Sequence, residues 1–278
     1  MKKYLVASTA ILTAVLAMPA QAELNLDLGG HFRGYGVYAD DGTTGARDFG
    51  LVRDTEIHFT GEATSDNGLT VGVHYETVLG NVATETDEAY AYFAGNWGRV
   101  NVGREDGAAY LLQVAAPSAD SNVDGLRTQI QGINTLGYAL DYDHADFRGA
   151  QRITYLTPKF SGFQAGVSYA ADSDDRASTA IGGAYGVQGL GVDTAGAFEN
   201  LWEGSARWDG EFEGFGVSVG GGYSTAEVQA SDAAVSSYNG DVETWNAGLN
   251  VAFQGFSVGG AYTKTKGDQD AAADLGLA

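Results

Sequence analysis

Leu24-Asn25-Leu26-Asp27-Leu28-Gly29-Gly30-His31-Phe32-Arg33 alternates by residue: the even positions carry Leu, Leu, Leu, Gly and Phe, the odd ones Asn, Asp, Gly, His and Arg. Two is the period of a β-strand, whose successive side chains leave opposite faces. One face of this strand is apolar and the other polar. A second run sets Leu51, Ile57, Phe59 and Ala63 against Asp54, Glu56, His58, Thr60 and Glu62. After Ser65-Asp66-Asn67-Gly68, a turn with the Asn-Gly hairpin signal, a third run sets Leu69, Val71, Val73 and Tyr75 against Thr70, Gly72, His74 and Glu76.

The unit recurs along the chain. Strands are expected near 88–94 and 99–104, 150–157 and 162–171, 200–208 and 214–225, and 242–252 and 256–265, with a short turn inside each pair. Together with the first strand this makes about eleven. Phe160-Ser161-Gly162-Phe163, Phe212-Glu213-Gly214-Phe215 and Phe253-Gln254-Gly255-Phe256 are three copies of one turn. Long links rich in Asp, Gly, Ser and Ala lie at 39–50, 79–87, 105–149, 172–199 and 226–241. Short turns at one end and long loops at the other are the pattern of an outer-membrane barrel.

The N-terminus carries a leader. Lys2 and Lys3 precede an apolar run from Tyr4 to about Met18, and Pro19-Ala20-Gln21-Ala22 supplies a small-x-small cleavage site, so residues 1–22 read as a signal peptide. No later stretch approaches 18 consecutive apolar residues. Residues 23–278 then form one β domain. The net charge of −21 becomes −23 once Lys2 and Lys3 leave with the leader, which excludes nucleic acid as a partner. There is no cysteine, so neither disulfide nor thiol chemistry is available. Of three prolines, Pro19 leaves with the leader; proline deletes a ladder hydrogen bond, and its scarcity fits a chain that is mostly paired strand.

A soluble sandwich would show the same alternation with its apolar face inward. Aromatic spacing discriminates. Trp202 and Trp208, Phe163 and Tyr169, Phe215 and Tyr223, Trp245 and Phe253, and Phe256 and Tyr262 each share a face, six or eight residues apart. Eight residues span roughly 26 Å, or roughly 20 Å after a barrel's tilt, near the height of an apolar band edged by aromatic girdles. A lipid-spanning sheet must close, and an interior holding Asp27, Arg33, Glu56, Glu76, Arg152 and Arg207 holds water.

Four stretches resemble the Gram-negative general-diffusion porins of alphaproteobacterial type: Glu56–Leu69, Glu88–Arg104, Ile153–Phe163 and the later Phe-x-Gly-Phe turns. The resemblance implies an all-β transmembrane antiparallel barrel of sixteen strands, a homotrimer in the outer membrane with its bilayer and lipopolysaccharide, and passive passage of small solutes and ions. It also implies that the long loop, about 105–149, folds into the lumen as a constriction. Glu105, Asp106, Asp120 and Asp124 would form its acidic side, and Arg33, Glu56, Arg104 and Arg152 the pore wall. Alternation puts Arg104 in phase with Val100 and Val102, so its place on the wall needs a register change near Gly103. Glu56 stands where the family often has arginine, which favours cations over anions. The chain ends Asp274-Leu275-Gly276-Leu277-Ala278, an expected extracellular loop in place of the family's aromatic-ended strand, so C-terminal strands are expected to be missing. Residues near Leu136–Tyr142 are read as part of the constriction loop.

No cofactor or metal is expected. His31, His58, His74 and His144 lack paired ligand spacing, although His58 and His74 become neighbours across the second hairpin. Calcium among Asp172, Asp174 and Asp175 is the weaker alternative, with no EF-hand spacing behind it. No nucleophile elbow, P-loop or His-Glu-x-x-His is present, so an enzyme is not expected. The alternative to a channel is a non-conducting barrel with a structural or adhesive role.

Overall fold

The computed structural model of the chain describes residues 24–38, 49–79, 84–117, 144, 147, 149–173, 198–228, 241–266 and 274–277. The signal peptide, Asp120, Asp124, Asp174, Asp175 and the stretch near 136–142 lie outside them.

Among the described residues, twelve strands form one antiparallel sheet in sequential order. They are β1 (Leu24–Tyr38), β2 (Phe49–Thr64), β3 (Thr70–Leu79), β4 (Thr84–Gly95), β5 (Gly98–Arg104), β6 (Gln151–Leu156), β7 (Phe163–Asp172), β8 (Phe198–Phe212), β9 (Phe215–Val228), β10 (Val242–Phe253), β11 (Phe256–Lys266) and β12 (Asp274–Leu277). The only described helix is one turn, α1 (Ala108–Leu111), directly after β5. No described helix is long and apolar enough to cross a membrane, which says nothing of strands. Each strand pairs with its chain neighbours, and β1 and β12 are the two ends of an open sheet.

The eleven expected strands are all present, and β12 is a correction. Asp274–Leu277 was expected to be loop, yet it pairs with Gly260–Thr263 of β11. A strand edge offers unpaired N–H and C=O groups to any extended segment within reach.

The three Phe-x-Gly-Phe turns share one backbone. Ser161, Glu213 and Gln254 have φ of 47°, 50° and 48°, and the following glycines 84°, 84° and 85°. Positive φ at both central residues is the type I′ hairpin turn, whose twist matches that of the strands it joins.

The sandwich alternative fails on burial. The large apolar side chains stand outside: Leu26 is 76% exposed and Phe256 82%. The fully buried positions on the strands are largely polar, with Thr154, Ser224 and Thr244 at 0%. This inversion of a soluble core is what a barrel wetted inside and greased outside requires. Aromatics form two rows on the outer face of β7–β11. Phe163 pairs with Trp208, and Phe215 stacks on Phe253 at 4.3 Å between ring centroids. Toward the other strand ends Tyr169 meets Trp202 at 4.6 Å and Tyr223 meets Trp245 at 4.1 Å.

Candidate functional site

The segment after β5 crosses the polar face of β6–β10 and is fastened to it. Gly107 precedes α1 without a side-chain cap. The first N–H groups of a helix need acceptors, and here the wall supplies them. Ala108 N–H donates to Ser168 Oγ at 2.7 Å, and Ala109 N–H to Glu203 Oε2 at 3.2 Å. The carboxylate at the helix start also meets the positive end of its dipole. Further along, Asn246 Nδ2 donates to Ala109 O at 3.2 Å, Arg207 Nη1 to Gln113 O at 3.2 Å and Asn250 Nδ2 to Ala115 O at 2.9 Å. Gly248 makes the close approach possible: a Cβ built there would lie 1.7 Å from Val114 O.

The returning limb of the loop is held as firmly. His144 N–H donates to Gln113 Oε1 at 2.8 Å, while its ring nitrogens contact Ser224 Oγ at 2.7 Å and Asn246 Nδ2 at 3.0 Å. Because Asn246 Nδ2 also donates to Ala109 O, the amide presents N–H to His144 Nδ1. That makes Nδ1 the acceptor and Nε2 the donor to Ser224. Burial pushes His144 down to about 4, so the ring is neutral. Phe147, Ala150, Ala170, Leu201, Ala226 and Val242 form a small apolar cluster at this end of the loop.

The expected site residues separate into two environments. Arg152 is buried beneath the loop, where it donates to the Glu203 carboxylate and to the Phe147 carbonyl. Glu105 is also buried; Asn101 Nδ2 donates to its carboxylate, and burial pushes it up to about 7. Asp106 is half-buried, and its backbone N–H donates to Glu88 Oε1 at 3.3 Å. Gly103 has φ of 138°, with no shift of register in the ladders on either side. Arg104 lies against the loop's end, its Nε 2.9 Å from a Cβ built on Gly149.

Arg33 and Glu56 lie on β1 and β2 in a half-buried polar group. Arg33 Nη1 donates to His31 Nε2 at 3.1 Å, and Glu56 Oε2 lies 3.5 Å from His31 Nδ1 and 3.2 Å from His58 Nε2. Arg99, which the alternation reading passed over, stands over the Tyr92 ring at 3.8 Å and donates to Asn101 Oδ1 at 2.6 Å and to Tyr90 Oη at 3.3 Å. His144, Ser224 and Asn246 were likewise not grouped. They are 80 and 102 residues apart in sequence, and no local pattern connects them.

Known proteins share this fold. A family profile described as Gram-negative porin matches residues 7–277. Among solved structures, the chain is similar to an anion-selective porin from Comamonas acidovorans at 17% identity, covering 90% of this chain and 70% of that one, with a TM-score of 0.55. It is similar to the outer membrane protein OmpT of Vibrio cholerae, solved in a trimer form, at 12% identity, covering 91% and 69%, with a TM-score of 0.56. No curated protein sequence matches the chain. With a profile that spans nearly its whole length and a sheet whose apolar face looks outward, the chain belongs to the Gram-negative porins, channel-forming β-barrel proteins of the outer membrane.

Proposed function

We propose that this porin is a passive, cation-preferring diffusion channel for small hydrophilic solutes and ions, working as a homotrimer among the lipids and lipopolysaccharide of the outer membrane. One observation carries the reading: a loop is hydrogen-bonded across the polar face of β6–β10, while charged side chains on β1–β3 stay accessible to solvent. A loop fastened in this way narrows a pore without filling it. Cation preference rests on Glu56, Glu62 and Glu76 on the polar face of β2 and β3 and on the formal charge of −21. The trimer draws on the Vibrio cholerae protein's trimer form.

The Ser224–His144–Asn246 chain has the members of a hydrolytic triad and favours a second reading, catalysis. Its chemistry argues against that. A general base needs its lone pair on the nitrogen facing the hydroxyl, and Nε2 here carries the proton. Ser224 is also fully buried, with no room for a substrate. The trio serves as an anchor for the loop.

Liposome swelling with sugars of graded size tests the channel: rates should fall steeply with sugar size, and no swelling with any sugar would leave a non-conducting barrel. Reversal potentials under a KCl gradient test the charge preference, and a potential of anion-selective sign would overturn it.

A further inference from the structure

Three imidazoles and two carboxylates form a row across β1–β3 on the polar face, because the register sets His31 opposite Glu56, His58 opposite Glu76 and His74 opposite Thr60. Their outward neighbours Phe59 and Tyr75 are exposed on the apolar face. A neutral imidazole has one nitrogen that donates and one that accepts. Both nitrogens of His58 face carboxylates: Nε2 lies 3.2 Å from Glu56 Oε2, and Nδ1 lies 3.2 Å from Glu76 Oε1. A neutral His58 therefore turns one lone pair toward an anion. His74 Nε2 converges on the same Glu76 oxygen at 2.7 Å.

We propose that His58 Nδ1, His74 Nε2 and Glu76 Oε1 bind one divalent transition-metal ion, Zn²⁺ by the chemistry of the donors, on the wall of the pore. Two imidazoles and one carboxylate are a recurring zinc set that leaves the fourth position open, here toward the lumen. Bonds of about 2.0–2.2 Å at tetrahedral angles place ligand atoms about 3.3 Å apart. The present separations of 3.2 and 2.7 Å need only a small opening.

The outer partners are in place as well. A metal-binding histidine usually hydrogen-bonds through its other ring nitrogen, which fixes tautomer and orientation. His74 Nδ1 lies 2.7 Å from Thr60 Oγ1, and His58 Nε2 points at the Glu56 carboxylate. With the ion bound, both rings are neutral, each outer nitrogen carries its proton, and no lone pairs are opposed. His31, with Glu56 and His58, offers a second triad. Its Nε2 accepts from Arg33, which leaves the proton of a neutral ring on Nδ1, the nitrogen that faces the carboxylate and would have to bind the ion. Nitrogen ligands disfavour Ca²⁺ and Mg²⁺, which take oxygen.

The test uses the full chain extracted from outer membranes in detergent, stripped with chelator and titrated with CoCl₂, then with ZnCl₂. Cobalt should bind at one ion per chain with the intense visible absorption of four-coordinate geometry. Zinc should displace it, and CaCl₂ should not. X-ray absorption of the zinc form should show nitrogen and oxygen neighbours near 2.0 Å. His58→Gln, His74→Gln and Glu76→Gln should each weaken binding beyond the about 10–100-fold that loss of an outer hydrogen-bond partner costs, Glu56→Gln should fall within that range, and His31→Gln should leave binding unchanged.

Several results would overturn the proposal. One is the absence of stoichiometric cobalt or zinc in the unsubstituted protein. Another is binding that survives both histidine replacements, or that His31→Gln abolishes and His74→Gln does not. The spectra of the unsubstituted protein decide the question even if a variant fails to fold. Binding is measured without conduction, so it stands or falls apart from the channel reading.

Discussion

The polar faces of β1–β3 and of β6–β10 obey the same alternation and meet different fates. On β6–β10 the polar side chains are buried and face a loop. Thr154, Ser168, Ser224 and Thr244 are at most 2% exposed, and Ser168, Glu203, Asn246 and Asn250 bond loop backbone. On β1–β3 they are half-buried and bond one another, His to Glu both along a strand and between strands. The first wall uses polarity as structure, its buried groups fixed by loop partners or by hydroxyls on the next strand. The second leaves polarity available to ions. A polar residue facing the inside of a barrel thus has no single role; what covers it decides.

Breaking the buried wall should have the largest effect. Arg152→Ala leaves the Glu203 carboxylate buried with its main partner gone, a change that costs about 3–5 kcal/mol in buried ion pairs. Denaturant unfolding in detergent should show that loss. Loop residues near Phe147, whose carbonyl Arg152 holds, should become sensitive to protease. Replacing both members, Arg152→Met with Glu203→Leu, should recover much of the stability, because no charge is stranded. Equal stability for the single variant and the parent would mean that the pair does not tie the loop to the wall.

Protonation of His144 should loosen the loop at a second anchor. His144 is held at about 4, below the ordinary histidine value of 6.5. A depressed folded value means that its contribution is complete above pH 6.5 and is lost as pH falls toward 4, about 3 kcal/mol in all. Glu105 has the opposite sign: raised to about 7, its contribution is complete below its ordinary range and lost as pH rises through 7. The two oppose each other in the parent, so single variants separate them: loop protection from protease should fall between pH 6.5 and 4 in Glu105→Gln, and should rise as pH falls through 7 in His144→Gln. Gly248→Ala should act more weakly, by about 1–3 kcal/mol, since Val114 or its strand must move to admit the methyl group. Single-channel conductance is its readout, and a pore of unchanged conductance would contradict the packing at Val114.

Much of the sheet was legible because the signals were local. The alternation from Leu24 to Arg33 and the three Phe-x-Gly-Phe turns need only near neighbours to be read. β12 is not legible in this way, because four residues carry too little alternation to mark a strand. The His58–His74 proximity was visible once a hairpin was drawn, whereas adding His31 and the two glutamates required the register of three strands. His144, Ser224 and Asn246 were beyond reach, since a long loop must fold back before they meet. Arg152 was legible as inward-facing, but not as covered.

The accessible wall should show the smallest change in stability and a distinct change in selectivity. Glu56 is a partly exposed carboxylate whose described partners are histidines. Glu56→Gln should alter stability by less than about 1 kcal/mol, the range of solvent-accessible ion pairs. It also removes one negative charge from a water-filled passage. Screening acts over about 10 Å at 0.1 M salt and about 3 Å at 1 M. The reversal potential should therefore shift away from cation preference at 0.1 M and below, and converge with the parent's at 1 M. Chelator must be present throughout, so that no ion bound at His58 and Glu76 offsets the change. A shift that persisted undiminished at 1 M would mean that Glu56 acts through the shape of the pore and not through its field.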